Sequence, residues 1–238
     1  MNLDQLKPDA RILHSLLDAE GEFVSGSRLA EEVGMTRVSV WNRLEQLKAD
    51  GFEIDAVRNR GYRLIAEPRR VHPGLLEALL ADNGTFLPIQ HHEMIDSTNS
   101  EAERKLSHEE PVPFLILADQ QTAGRGRRGR TWFSPRAVHF YGSFGFRPEI
   151  SPMRLQTITL WWGLSLARYL EKAYQLPVKV KWPNDLYLGD RKVAGLLTEA
   201  RVDGERTRDL ILGLGMNLAG EASDFPEELR KKAGTLEM

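Results

Sequence analysis

The sequence predicts an α+β chain: an N-terminal winged helix-turn-helix, then a mixed β-sheet domain flanked by helices. Three observations carry this. Two short helical patterns meet at a glycine in "SGSRLAEEVGMTRVSVWNRLEQLKADG" (25–51). A basic hairpin pattern follows directly in "FEIDAVRNRGYRLI" (52–65). After a proline- and charge-rich stretch, "AEPRRVHPG" (66–74), strand-like and helix-like segments alternate. The expected division is a winged helix over 1–66, a linker and short helix over 67–83, and a sheet domain over 84–238.

Composition narrows the functions available. Among 238 residues, 41% are hydrophobic and 28% charged, enough to bury a sizeable core. A formal net charge of −2 provides no global attraction for nucleic acid or acidic membranes, so any basic function is local. The absence of cysteine excludes disulfides, thiolate metal sites and a cysteine nucleophile, and fits a reducing cytoplasm. "MNLDQLKPDA" has no apolar signal core. The apolar run "TITLWWGLSLARYL" (157–170) is too short to span a membrane and reads as a buried core helix.

Residues 4–19 have helical spacing, with Ile12, Leu13, Leu16 and Leu17 on one side. In the next helix Ser27 is the expected cap, and Leu29, Ala30 and Val33 line its inner face. Gly34 makes the turn, and Thr36 caps a helix whose Val40, Leu44 and Leu47 point inward. Such a second helix enters the major groove of DNA, which makes Thr36, Arg37, Ser39, Trp41, Asn42 and Arg43 contact candidates. Arg58, Arg60 and Arg63 on the wing suit phosphates. A winged helix used only for packing or protein contacts is the competing reading. A monomer neutralises few phosphates, so a dimer on a two-fold site is expected.

A short helix over 74–81 and a strand over 86–94 lead to "IDSTNSEAERKL" (95–106). There the capping-box spacing of Thr98 and Glu101 starts a helix. "FLILADQQTA" (114–123) is a buried strand entering "GRGRRGRTWFSP" (124–135). Gly124, Gly126 and Gly129 formally match G-x-G-x-x-G, but that fingerprint must open a helix, and here Pro135 and an aromatic strand follow. Arginines at 125, 127, 128 and 130 spaced by glycine instead suit an anion-binding loop. Glycine lets backbone approach a ligand, arginine offers forked donors, and mutual repulsion keeps the loop mobile until a polyanion arrives. "VKVKWPNDLYLGDRKVAGLLTEA" (178–200) reads as strands joined by a turn at Gly189-Asp190. Lys192 leaves that turn, either as an edge lysine or as a cation held where charge develops. Asp185 suits Mg²⁺ shared with substrate phosphates, and Gly195 marks close approach of a ligand. "RDLILGLGMNLAG" (208–220) is a further strand holding Asn217.

Together, "STN" (97–99), "QTAGRGRRGRTWFSP" (121–135), "KWPNDLYLGDRKVAGLLTE" (181–199) and "GLGMN" (213–217) resemble the biotin protein ligases, and the winged helix resembles their bifunctional, operon-repressing kind. The resemblance implies a biotin/lipoate-ligase-like sheet domain. It implies ATP-dependent formation of biotinyl-5′-AMP, then transfer to a lysine of biotin carboxyl carrier protein. It implies Mg²⁺ as cofactor, and operator DNA and a homodimer, formed when adenylate is bound, as partners. It puts Ser97, Thr98, Asn99, Gln121, Gly124, Arg125, Gly126, Arg127, Lys192 and Gly195 at biotin. It puts Arg127, Arg128, Arg130, Trp132, Lys181, Asn184, Asp185 and Asn217 at the nucleotide. Lys192, Arg125 and Arg127 are the expected catalytic groups, and Asp185 the metal ligand. The family pattern continues beyond "FPEELRKKAGTLEM" (225–238), so a truncated biotin sensor with impaired catalysis is the alternative, with a lipoate-type ligase behind it.

Overall fold

The computed structural model describes residues 3–136 and 139–237. The chain forms two compact units, residues 1–88 and 89–238.

In the first unit α1 (Pro8–Asp18), α2 (Gly26–Val33) and α3 (Arg37–Ala49) precede a hairpin of β1 (Glu53–Val57) and β2 (Gly61–Ala66). Ile12, Leu13, Leu16, Leu29, Val40, Leu44 and Leu47 are all buried in one cluster, as their helical spacing requires. Ser25, not Ser27, caps α2: its backbone is still extended and its side chain accepts from the Arg28 N–H at 3.1 Å, whereas Ser27 is already helical. Gly34 ends α2 at φ 68°, and Thr36 caps α3 by accepting from the Ser39 N–H at 3.2 Å. The wing is pinned to the helices where Val24 and Tyr62 exchange backbone hydrogen bonds of 2.8 Å. Gly61, at φ 113°, lies so close to the Val24 carbonyl that any Cβ would collide with it.

The stretch 67–83 does not behave as a tether. Its helix α4 (Pro73–Asp82) buries Leu75 and Ala78 in the same cluster as Ile12 and Leu13. His72 caps it and meets Phe52 edge-on at 5.0 Å, while Arg70 donates to Asp50 at 2.7 Å. Apolar spacing in "PGLLEALLAD" outweighs the proline and charge content before it, so the unit ends at Pro88.

The second unit is built on a seven-stranded sheet of order β3-β4-β5-β9-β8-β7-β6. Its strands are β3 (Ile89–His92), β4 (Phe114–Ala118), β5 (His139–Phe146), β6 (Lys179–Lys181), β7 (Asp185–Leu188), β8 (Arg191–Asp203) and β9 (Arg206–Asn217). Among these strands β3 and β4 pair in parallel and the other neighbours antiparallel. Alternation along β9 separates the two faces. Ile211 packs with Ala102 and Leu106 of α5 (Thr98–Ser107), while Leu214 packs with Ala167 and Leu170 of α6 (Leu155–Tyr174). Helix α6 is not the fully buried helix its apolar run suggests. Ala167 and Leu170 are buried, but Trp161 is 68% exposed and Leu164 and Tyr169 are also exposed, because the helix covers only one face of the sheet. Among the described residues, no helix is long and apolar enough to cross a membrane.

Candidate functional site

The α5 face of the sheet is cleared of bulk at its centre. Register places Ser143 of β5 opposite Gly213 of β9, Leu197 of β8 opposite Gly213, and Gly195 opposite Gly215. Asp185 of β7 lies opposite Gly195 in turn. A regular ladder would put Lys192 opposite Leu188, on the other face. A bulge at Val193 of β8, where the register shifts between Leu186 and Tyr187, pairs Tyr187 with Lys192 instead, which brings the lysine to the face of Asp185 and Gly195. Its ammonium then reaches the Asp185 carboxylate at 2.7 Å and lies 5.1 Å over the Trp132 ring.

Two side chains occupy the cleared floor. A Cβ on Gly213 would strike the Asn99 side-chain amide, and one on Gly215 would strike the Trp132 indole. The glycines of "GLGMN" are thus seats for Asn99 and Trp132 rather than turn formers. Both serve as walls of a cavity lined by Ser97, Thr98, Asn99, Gln121, Arg125, Gly126, Arg127, Trp132, Asn184, Lys192 and Gly195.

The polar end of this cavity is a closed hydrogen-bond network. Gln121 Oε1 accepts from the Thr98 N–H at 2.8 Å and from its hydroxyl at 3.1 Å, and Gln121 Nε2 donates to Ser134 at 2.8 Å. The Ser143 hydroxyl, fully buried, donates to Asn99 Oδ1 at 2.6 Å and lies 2.8 Å from the Thr98 hydroxyl. Helix α5 therefore begins without the expected Thr98–Glu101 box. Ser97 is its N-cap residue, Gln121 satisfies the Thr98 N–H, and Glu101 instead pairs with Arg104 at 2.7 Å.

Just before α5, Asp96 accepts from the Ser97 N–H at 2.8 Å and from both Arg104 terminal nitrogens at 2.8 and 2.9 Å. The Arg104 hydrogen bonds hold its carboxyl down at about 2. A depressed carboxylate stabilises the fold above its unfolded value near 4 and loses that contribution as pH falls through its folded value. The melting difference between the parent and Asp96→Asn should therefore be constant above about pH 4 and shrink from there towards pH 2. Asp96 and Arg104 are nearly half exposed, so the difference should stay under about 1 kcal/mol.

The arginine loop is a small hairpin whose tip is a single 3-10 turn, Arg127–Gly129, and among the described residues it opens no α-helix before the strand β5. Gly126 N–H donates to the Arg130 carbonyl at 2.7 Å, Trp132 N–H donates to the Gly124 carbonyl at 2.8 Å, and Arg128 and Gly129 turn the chain at φ 57° and 72°. Gly124 lies under the Trp132 carbonyl, where a Cβ would collide, so it shapes the loop. Arg125 is held by Glu199 at 2.5 Å and Glu103 at 3.2 Å, and Arg127 donates to Asn184 at 3.3 Å. Arg128 lines a neighbouring cavity with Arg127, Trp182 and Thr198.

A second cavity shares Trp132 and Lys192 with the first. Arg130, Phe133, Asp185, Tyr187 and Asn217 line it, together with Phe225, Leu229 and Lys232. Those last three were missed in the sequence, because "FPEELRKK" carries no site signature. They are brought in by backbone bonds between Lys192 and the tail, from Lys192 N–H to the Lys232 carbonyl at 2.7 Å and from Gly234 N–H to the Lys192 carbonyl at 3.0 Å. Asn217 is buried and its amide donates to the Gly234 carbonyl at 2.9 Å, so one of its donors secures this tail. Lys181 lines neither cavity; its ammonium lies 4.7 Å over the Tyr187 ring. Among the described residues no cluster of three or more acidic, histidine or cysteine side chains forms a metal cage. Asp185 suits a hard cation only as one carboxylate completed by substrate phosphates.

In the first unit, Arg37, Trp41 and Asn42 are exposed on α3, as is Val38, which the sequence reading passed over. Thr36 and Ser39 are joined at 2.9 Å. Arg43 turns away from this surface: it sits one turn from buried Val40 and donates to Asp9 of α1 at 2.7 Å, so it braces the helices. On the wing Arg58 is exposed, and Arg60 and Arg63 lie 4.2 and 4.5 Å over the Phe23 ring.

Residues 92–217 match the biotin/lipoate A/B protein ligase family, and residues 10–63 match a helix-turn-helix domain. The chain is 33% identical over 218 residues to the bifunctional ligase/repressor BirA of Bacillus subtilis, covering 92% of itself and 67% of that relative. It is similar to the biotin protein ligase of Aquifex aeolicus in complex with biotin and ATP, at 34% identity and a TM-score of 0.51, over 63% of this chain and 60% of that one. It is also similar to the biotin protein ligase of Leishmania major in complex with biotinyl-5-AMP, at 28% identity and a TM-score of 0.52, over 63% of each chain. The chain thus spans about two thirds of the length of its relatives. With the family's region falling on the sheet that carries both cavities, the chain belongs to the biotin/lipoate A/B protein ligase family.

Proposed function

We propose that the chain is a biotin protein ligase that also acts as a biotin-responsive repressor. The observation that carries the ligase reading is the pair of cavities joined at Trp132 and Lys192. One ends in the neutral network of Thr98, Asn99 and Gln121, which suits an uncharged polar ring. The other is aromatic and cationic, which suits a nucleotide. The carboxylate of biotin then lies near Lys192, Arg125 and Arg127.

In the first step a biotin carboxylate oxygen bonds to the α-phosphorus of ATP, and the bond from that phosphorus to the bridging oxygen breaks, releasing pyrophosphate. The cations withdraw charge from the carboxylate-phosphate centre as it becomes more negative. In the second step a lysine amine of biotin carboxyl carrier protein attacks the activated carbonyl. AMP leaves and the amine proton passes to solvent. Both nucleophiles belong to substrates, so the protein's work is orientation and charge neutralisation. Mg²⁺, held by Asp185 and the phosphates, would neutralise the triphosphate. Gly195, Arg130, Asn184 and Asn217 line these cavities, Arg128 lines the neighbouring one, and together they complete the proposed contact set.

The repressor reading rests on the exposed polar and basic residues of α3 and the wing, with operator DNA as partner and a homodimer formed when the adenylate is bound. The cytoplasm is the proposed location. Biotin-dependent ATP–pyrophosphate exchange with Mg²⁺ on the 238-residue chain tests the ligase reading. Exchange with biotin and not with lipoate is the expected result. Biotin binding without exchange would instead support the biotin-sensor alternative, and exchange with lipoate alone would favour the lipoate-type one.

A further inference from the structure

Glu199 carries no role in the sequence reading, yet it holds two residues that line the first cavity, Asn99 and Arg125. Its Oε2 accepts from Asn99 Nδ2 at 2.7 Å, and its Oε1 accepts from Arg125 at 2.5 Å. The two bonds differ in kind. Asn99 is buried, seated on Gly213, and its Oδ1 already accepts from Ser143, so Glu199 fixes which way the amide faces. Arg125 belongs to the glycine loop and, among the described residues, its other side-chain bonds are to Ser100 and the exposed Glu103. Glu199 is itself partly buried, at 28% exposure, where a charge-assisted bond is stronger than at the surface. Strand register puts it there: Glu199 is two residues beyond Leu197 on the α5 face, opposite Ile211.

We propose that Glu199 is a positioning residue that orients the Asn99 amide for the ligand and, with its other oxygen, fastens the arginine loop to the sheet. This rests on the biotin reading of the cavity. One carboxylate thereby links the residue that meets the uncharged head of the ligand to the loop that meets its charged end.

The test uses four variants of the full chain, with biotin as probe and thermal melts to verify folding. Glu199→Ala should weaken biotin binding about tenfold, a coupling of ordinary size for a buried hydrogen-bonded pair. Asn99→Ala should also weaken it, and the loss in the double variant should fall short of the product of the two single losses, because Glu199 acts in part through Asn99. Glu199→Gln keeps an acceptor for the Asn99 amide and should bind biotin within about twofold of the parent, while losing the charge partner of Arg125. Limited trypsin digestion read by mass spectrometry should then cut after Arg125 faster in Glu199→Gln and Glu199→Ala than in the parent. Parent-like biotin affinity in Glu199→Ala would overturn the proposal, as would multiplying losses in the double variant or unchanged cleavage after Arg125. A parent chain that binds no biotin would sink the biotin reading itself, and this proposal with it; the cleavage comparison still reports the Arg125 contact separately.

Discussion

Replacing Lys192 by alanine is expected to slow adenylate formation by about 10²–10³-fold while leaving the fold intact, the scale seen when one donor to a developing charge is removed. Lys192 lines both cavities, and its ammonium is placed by two contacts and by the register of its strand. The Asp185 carboxylate holds it at 2.7 Å, the Trp132 ring lies 5.1 Å below it, and the bulge in β8 turns its strand position towards the site. A cation so held is oriented before substrate arrives, so little reorganisation remains for the reaction itself. The fold should tolerate the change. The pair is only partly buried, and Lys192 is linked to the tail through its backbone N–H and carbonyl, which alanine retains. Biotin affinity should fall far less than the rate, because the charge that Lys192 meets grows as the phosphorus–oxygen bond forms. Single-turnover formation of biotinyl-5′-AMP measures the step directly. A rate equal to the parent's would remove Lys192 from the reacting centre and leave it as the partner of Asp185. Lys192→Arg restores charge but not the compact ammonium, so partial recovery is expected.

The division of labour in this chain explains what its sequence reveals. Caps and turns are local, so Thr36, Gly34 and the Gly189-Asp190 turn are legible in a few residues. The misplaced caps show the limit. Ser25 and Ser27 have the same chemistry two residues apart, and only backbone conformation separates them. The N–H of Thr98 finds Gln121, 23 residues away, which no local spacing encodes. Lys192 and Asp185 were legible because the hairpin brings them together. The bulge that makes them face one another was not, since it is a property of pairing. Ser143 and Glu199 stayed hidden for the same reason. Each sits in a strand where alternation permits a polar residue on either face, and their meeting at Asn99 depends on the register of three strands. Position on the second helix makes Arg43 a DNA contact candidate, but its ion pair is not local. Its partner Asp9 lies 34 residues earlier.

Register also makes Gly213 the most vulnerable point of the site. Gly213→Ala should weaken biotin binding by roughly 10- to 100-fold, the order expected when a buried polar group is displaced from its hydrogen-bond partners. The added methyl would overlap the Asn99 amide, which has nowhere to go. Its oxygen is held by Ser143 at 2.6 Å and its nitrogen by Glu199 at 2.7 Å, and it is buried at the start of α5. Either Asn99 leaves both partners or β9 shifts away from α5. Overpacking of this kind costs about 1–3 kcal/mol of stability. Loss of stability alone would not identify the cause, so the comparison is with Gly163→Ala on the opposite face. There a methyl approaches the flexible end of Leu196 at 3.0 Å and touches no group of the network. Alanine also favours the helix at Gly163 by up to about 1 kcal/mol. Gly163→Ala should therefore alter melting only slightly and leave biotin binding unchanged, whereas Gly213→Ala should lose both. Calorimetric titration of the two variants with biotin decides between them. Equal affinity in both would mean that Asn99 does not meet the ligand, and that the glycine at 213 serves only to let α5 lie close to the sheet.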